Sequence, residues 1–235
     1  MFSGTEPVPS MTEVATAHLQ VLRSVQPQGP YRLGGFCNGG LLAYEMARQL
    51  ERQGEQVEFL GLVNPVSPAQ RGPRQVLADR LSQVLRVTVP AQVTAYLRTR
   101  QALRHVYRRL QPAGARGEDF GKLLVIEPRL ATMFPPRAAL YRDYIGVFNW
   151  LAGRYRTGRL HGNVTFYWAR EILDSARTWQ PLLTPGGWVR HQDRTIEGAL
   201  MTSVTDHVEG LARQLSNDLE KVGQETNPLP TLAPN

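Results

Sequence analysis

Between Tyr31 and Val63 the chain runs through a strand, a glycine-rich corner, an amphipathic helix and a second strand with nothing between them. YRLGG reads as a short strand. GGLLAYEMARQLERQG reads as a helix with Leu42, Met46 and Leu50 on one face and Gly54 as its stop. VEFLGLV, residues 57–63, is an unbroken apolar run of strand length, as suits a parallel strand buried on both faces. Strand, helix, strand in this order is one βαβ unit, whose crossover is almost always right-handed. It commits the chain to an α/β architecture on a mostly parallel sheet.

The flanking sequence extends that plan. SMTEVATAHLQVLRSVQ predicts a helix capped by Ser10 or Thr12, with Glu13 as a partial capping box. Its apolar stripe is Val14, Ala17, Val21, Leu22 and Val25; His18 beside it reads as structural. Residues 71–155 are rich in Arg and Leu, helical and irregular, with breaks at Pro90, 112–117 and 134–137. An insertion of that length between strands reads as a lid. NVTFYWA (163–169) and WVRHQDRTI (188–196) predict two more strands. A last helix runs from about Ser203 to Val222, with Val208, Leu211, Leu215 and Leu219 at helical spacing. Residues 1–223 then form one α/β domain, and 224–235 a Pro-rich, disordered tail.

Hydrophobic residues make up 42% of the 235, enough for a core that needs no disulfide, and the lone cysteine permits none inside the chain. No apolar run approaches the ~18 residues of a membrane span, and the N-terminus lacks the pattern of a signal peptide. The expected location is the cytoplasm, with no membrane partner. The net charge of +7 is almost all arginine and concentrates between Arg71 and Arg159. Such a face suits an acidic protein. No zinc spacing, aromatic stacking box or repeat accompanies it, so no nucleic-acid partner is expected.

The corner carries the chemistry. Gly35-Phe36-Cys37-Asn38-Gly39 has the form Gly-x-nucleophile-x-Gly. A strained turn would project the Cys37 side chain from the sheet, and the glycines on either side have no Cβ to clash with neighbouring backbone. The N-terminus of the following helix favours an anion, which for a thiol lowers the pKa. Asn38 would supply one oxyanion-hole N–H. The alternative is a small, inert residue buried in a tight place.

The wider run GPYRLGGFCNGGLLAYEMARQLERQGEQVEFLGLVN resembles the thioesterase domains of nonribosomal peptide and polyketide synthases, members of the α/β-hydrolase fold. The likeness extends from PSMTEVATAHLQVLRSVQ to TSVTDHVEGLARQLSNDL. It implies a three-layer α/β-hydrolase domain with a helical lid. The implied reaction is acyl transfer, in which the nucleophile takes an acyl or peptidyl chain from the thioester of a carrier protein and then releases it. No cofactor of its own is implied, because the phosphopantetheine arm belongs to the carrier-protein substrate. Metal is likewise not expected.

Three departures follow from the same comparison. Where the family often places its acid, this chain has Asn64, which can still orient an imidazole. Asp174 is an alternative acid, or a helix cap. At the position of the family's histidine base stands Leu200, which cannot accept a proton. His207 is the first substitute, ahead of His191, His105 and His161. The family's first strands and the loop giving the second oxyanion donor precede the segment where this chain starts, so the sheet is expected to be N-terminally truncated, with an unpaired edge at residues 31–35. Two readings stay open: a thioesterase-type enzyme working through Cys37, and a catalytically impaired or non-catalytic binding module.

Overall fold

The structure, a computed structural model, describes residues 8–66, 86–110, 131–179 and 190–226. In chain order its elements are α1 (Met11–Val25), β1 (Tyr31–Phe36), α2 (Asn38–Arg52), β2 (Val57–Val63), α3 (Val89–Leu110), α4 (Arg137–Leu140), α5 (Tyr144–Arg154), β3 (Asn163–Ala169), a 3₁₀ helix (Arg170–Thr178), β4 (Arg190–Ile196), a short 3₁₀ turn (Thr202–Val204) and α6 (Val208–Thr226). They fall into two compact units. One comprises Met11–Pro68 with Arg156–Asn235, the other Met1–Ser10 with Ala69–Tyr155.

The first unit holds a four-stranded sheet in the order β1-β2-β3-β4, every neighbouring pair parallel. β2 and β3 occupy the middle because both faces of each are apolar. Phe59, Val63, Tyr167 and Ala169 pack with Ile196 and Leu211 beneath α6. On the other face Phe166 stacks on Trp168, and Trp179 sets its ring edge against both Phe166 and Tyr44 of α2. Helices therefore cover both faces of the sheet, as the three-layer expectation requires. β4, RHQDRTI, is polar enough to lie at an edge. β1 forms the other edge among the described residues, as expected.

Two helix readings need correction. The buried stripe of α1 is Met11, Ala15 and Leu19, whereas Val21 and Val25 face solvent. The apolar residues near the C-terminus of α1 suggested a face that tertiary packing does not use. α2 is buried nearly all round, because α1 covers the side that the sheet does not. Its polar residues inside are partnered: Glu45 is paired with Arg48, and Gln49 Nε2 donates to Glu45 Oε1 (3.1 Å) and to Thr12 O (3.0 Å). On the opposite face, buried Asp218 of α6 accepts from Tyr167 Oη (2.9 Å) and from Arg194 Nη2 (2.8 Å). Burial first, then this carboxylate, pushes the Tyr167 phenol well above its ordinary pKa.

In the second unit α3 packs on α4 and α5 through Val93, Leu97, Leu140, Tyr141 and Val147. Buried Asp143 caps α5, accepting from the Gly146 N–H at 2.9 Å, and holds Arg100 and Arg104 at 3.3 Å each. Pro90 opens α3 rather than breaking it, since a first-turn proline lacks only an N–H that has no helical partner. The expected break at 112–117 lies outside the described residues. So does the tail from 227, although 224–226, expected in that tail, belong to α6. The last helix begins at Val208, five residues later than expected, because a 3₁₀ turn takes up Thr202–Val204.

Candidate active site

β1 hands over to α2 at a single residue. Cys37 has φ 51° and ψ −118°, a backbone conformation rare for a residue with a side chain and costing about 1–3 kcal/mol. Its neighbours hold it there. The Cys37 N–H donates to Val63 O (2.9 Å), extending the ladder between β1 and β2. The Cys37 carbonyl accepts from Gly40 N–H (3.1 Å) and Val66 N–H (3.2 Å).

The glycines divide differently from the expected pattern. A Cβ on Gly35 would sit 2.2 Å from Gly39 O, and one on Gly40 would sit 2.8 Å from Pro65 Cβ. At Gly39 a Cβ meets nothing within 4 Å. Gly35 and Gly40 are therefore the positions fixed by sterics, and Gly39 is not. Gly35→Ala is expected to lower stability by about 1–3 kcal/mol in urea titration. Gly39→Ala, within α2, is expected to be neutral or stabilising by up to about 1 kcal/mol.

The thiol is half-buried, and that burial pushes its pKa up. A hydrogen bond from the Asn38 backbone pulls it down, by less. The expectation of a depressed pKa at the helix N-terminus is thus corrected: desolvation outweighs the donor. Among the described residues no hydrogen bond joins the sulfur to a histidine or a carboxylate.

Asn64, also at positive φ (44°), ends β2 and laces the C-terminal ends of the strands together. Its backbone N–H donates to Tyr167 O (2.8 Å), and its Oδ1 accepts from Ala169 N–H (2.7 Å). Its Nδ2 donates to Ser203 Oγ (2.9 Å) and to Leu200 O (3.4 Å). The side chain, nearly wholly buried, thereby fixes the loop that follows β4, with Leu200 on it at 36% exposure. Within the loop Gly198 has φ 89°, and Thr202 Oγ1 accepts from Ala199 N–H (2.8 Å). Ser203, fully buried, and Thr202 were not singled out in the sequence. Two more hydroxyl residues in TSVT carry no periodic signal.

Of the other candidates only His207 touches this loop. Asp174 lies on the 3₁₀ helix with its side chain 95% exposed, 3.7 Å from Arg177. His207 closes a turn through its backbone onto Thr202 O, and its exposed ring lies against Gly198. His191 pairs with Val164 near the start of β4, five residues and about 16 Å from the strand's far end. His105 is bonded to Gln101 in α3, and His161 donates its N–H to Glu51. Among the described residues no group of three or more His, Cys, Asp or Glu could hold a metal, and no helix is long and apolar enough to cross a membrane.

What remains is a thiol on a strained corner, one backbone donor beside it, and a rigid neighbouring loop that presents an apolar residue. A family model described as "Thioesterase domain" matches residues 1–219. Curated relatives match shorter stretches. The nonribosomal peptide synthetase apvA of Aspergillus terreus is 44% identical over 61 residues, 26% of this chain and 7% of its own. Vanchrobactin synthetase VabF of Vibrio anguillarum is 48% identical over 59 residues, 25% of this chain and 2% of its own. Indigoidine synthase of Streptomyces lavendulae is 43% identical over 68 residues, 29% of this chain and 5% of its own. The matches thus span under a tenth of these relatives' lengths. Among solved structures, the NocB thioesterase domain in covalent complex with a fluorophosphonate nocardicin G analog superimposes with TM-score 0.52 at 20% identity, covering 92% of this chain and 78% of that one. The RedJ thioesterase from the prodiginine pathway of Streptomyces coelicolor gives 0.51 at 19% identity, covering 88% and 70%.

Proposed function

Because the chain belongs to the thioesterase-domain family and has its α/β-hydrolase fold, we propose that Cys37 is an acyl acceptor for carrier-protein thioesters, one that is loaded readily and unloaded slowly. The observation that carries this reading is the φ/ψ of Cys37 at the C-terminal end of a parallel strand, where α/β sheets place their ligands. In loading, the Cys37 sulfur attacks the thioester carbonyl. A new C–S bond forms, the bond to the pantetheine sulfur breaks, and the thiol proton ends on the departing thiol. This exchange has a good leaving group and does not depend on a base. In unloading, water adds to the acyl carbonyl, the bond to Cys37 breaks, and carboxylate and thiol are released. That step gains about 100- to 10,000-fold from a general base, and Leu200 offers none.

Incubation with an acyl-pantetheine thioester, followed by intact mass, is expected to show one acyl adduct that accumulates ahead of free acid and is absent in Cys37→Ala. The raised thiol pKa sets a pH dependence. Below that pKa the thiolate fraction, and with it the loading rate, rises about tenfold per pH unit, with no plateau between about pH 7 and 8.5. Rapid catalytic turnover would refute slow unloading. Failure to form any adduct would favour the second reading, a non-catalytic binding module, to which the apolar Leu200 points.

A further inference from the structure

The face of the sheet beneath α6 is not filled along its whole length. Gly61, Thr165 and Gln192 are register partners on β2, β3 and β4, and in that row the glycine contributes no side chain. Phe59 folds over it, so that a Cβ on Gly61 would lie 2.8 Å from Phe59 Cε1. A cavity of about 270 Å³ remains between this part of the sheet and Asp218, Lys221 and Val222 of α6. It lies within the sheet unit. Alternation along β3 turns Asn163 to the same face as Thr165, at the rim of the cavity. Asn163 is six residues, about 20 Å, from Ala169, where Asn64 ties the strand ends together. The cavity thus sits at the end of the sheet opposite Cys37.

Thr165 is only 9% exposed and lines the cavity, yet its hydroxyl has no hydrogen-bond partner among the described residues. Valine has nearly the same shape and would fill this strand position with no polar group to desolvate. The space beside the hydroxyl far exceeds the ~30 Å³ share of one bridging water. It approaches the ~300 Å³ at which small-molecule sites begin. The carboxylates at the wall are already matched. Glu58 is held by Arg32 Nε (2.7 Å) and Asp218 by Arg194 Nη2 (2.8 Å), with Lys221 Nζ at 3.8 Å. The groups left to engage a ligand are neutral: the Thr165 hydroxyl, the Asn163 amide and Gln192 Nε2. Gln192 Oε1 already accepts from Arg194 Nη2 (2.8 Å).

We propose that this cavity binds a neutral, polyhydroxylated ring compound of monosaccharide size. Ligand hydroxyls both donate and accept, as the Thr165 hydroxyl and the two amides require. The C–H surface between those hydroxyls suits Phe59 and Val222. An ion fits poorly, because it would have to displace a partner from a carboxylate that is already paired. The site is independent of whether Cys37 accepts or releases an acyl chain.

The test uses the full chain with glucose, galactose and mannose as neutral probes, and with cationic glucosamine and anionic glucuronate as charged ones. Ligand-observed NMR and calorimetry are expected to show millimolar or tighter binding of at least one neutral sugar, with both charged rings weaker by at least about tenfold. Thr165→Val is expected to weaken binding at least about tenfold while thermal unfolding stays the same or rises. Asn163→Ala/Gln192→Ala, at exposed positions, is expected to weaken it at least about tenfold as well, and it decides the matter if Thr165→Val does not fold. Cys37→Ala should leave binding within about twofold. The proposal is overturned if none of the three neutral sugars binds, or if a charged ring binds more tightly than all of them. It is likewise overturned if Thr165→Val, or the Asn163/Gln192 pair in its place, binds as the natural chain does. Loss of binding in Cys37→Ala would also overturn it, by moving the ligand to the corner between β1 and α2.

Discussion

Leu200→His is expected to speed hydrolysis of the Cys37 acyl adduct by about 100- to 10,000-fold, the usual contribution of a positioned general base. The loop that would carry this base is already rigid. Asn64 Nδ2 holds Leu200 O and Ser203 Oγ, Thr202 Oγ1 holds Ala199 N–H, and the Ser203 N–H returns to Ala199 O at 3.0 Å. Leu200 is itself 36% exposed, so an imidazole in its place can keep its polar edge in contact with solvent. Single-turnover decay of a preformed acyl adduct, followed by intact mass, reads the step directly. Loading should change far less, since thioester exchange needs no base. Met201→His, one residue along and 45% exposed, is the control and should leave decay at the background rate. Equal rescue by both variants would mean that any nearby imidazole suffices, and position 200 would lose its special standing. No rescue by either would count against position 200 as a place from which an imidazole reaches the adduct.

The fold was legible wherever two signals coincided. The βαβ unit from Tyr31 to Val63 was found because apolar periodicity, glycine punctuation and strand length agreed, and all three elements lie within two residues of their expected ends. The face of α1 was misread because its C-terminal valines stay at the surface, where nothing in the helix itself distinguishes them from core. At the corner the sequence identified the strained residue but not which glycines it needs. That depends on Pro65, brought beside Gly40 by the end of β2. Nor could the thiol pKa be read from sequence. Helix position argues for a fall and burial for a rise, and only the structure sets their balance. Asn64 was noticed as a departure from an acid, but its hydrogen-bond partners could not be read from the sequence. Both ends of its amide are engaged with backbone and with Ser203, so it holds the loop of residue 200 in place.

That role makes Asn64→Leu the most damaging single change expected at the strand ends, at about 3–5 kcal/mol in urea titration. Three terms add in the same direction. The Ala169 N–H and the Leu200 carbonyl lose a partner each, and buried Ser203 Oγ loses a donor. Leucine must also adopt φ 44°, which asparagine tolerates and larger apolar side chains resist. Asn64→Asp separates these terms. It keeps the backbone conformation and the acceptor for Ala169. The Ser203 hydroxyl can donate to the new carboxylate only by leaving Leu200 O, to which it donates at 3.1 Å, so Leu200 O loses both donors. The loss should be about 1–3 kcal/mol, below that of leucine. The two variants should also differ when combined with Leu200→His. If Asn64 positions the loop, Asn64→Leu removes the gain in adduct hydrolysis, while Asn64→Asp keeps most of it, and the double-mutant cycle shows a coupling well beyond about 0.5 kcal/mol. Additive effects in that cycle would make Asn64 a stabilising residue with no hold on the geometry at position 200.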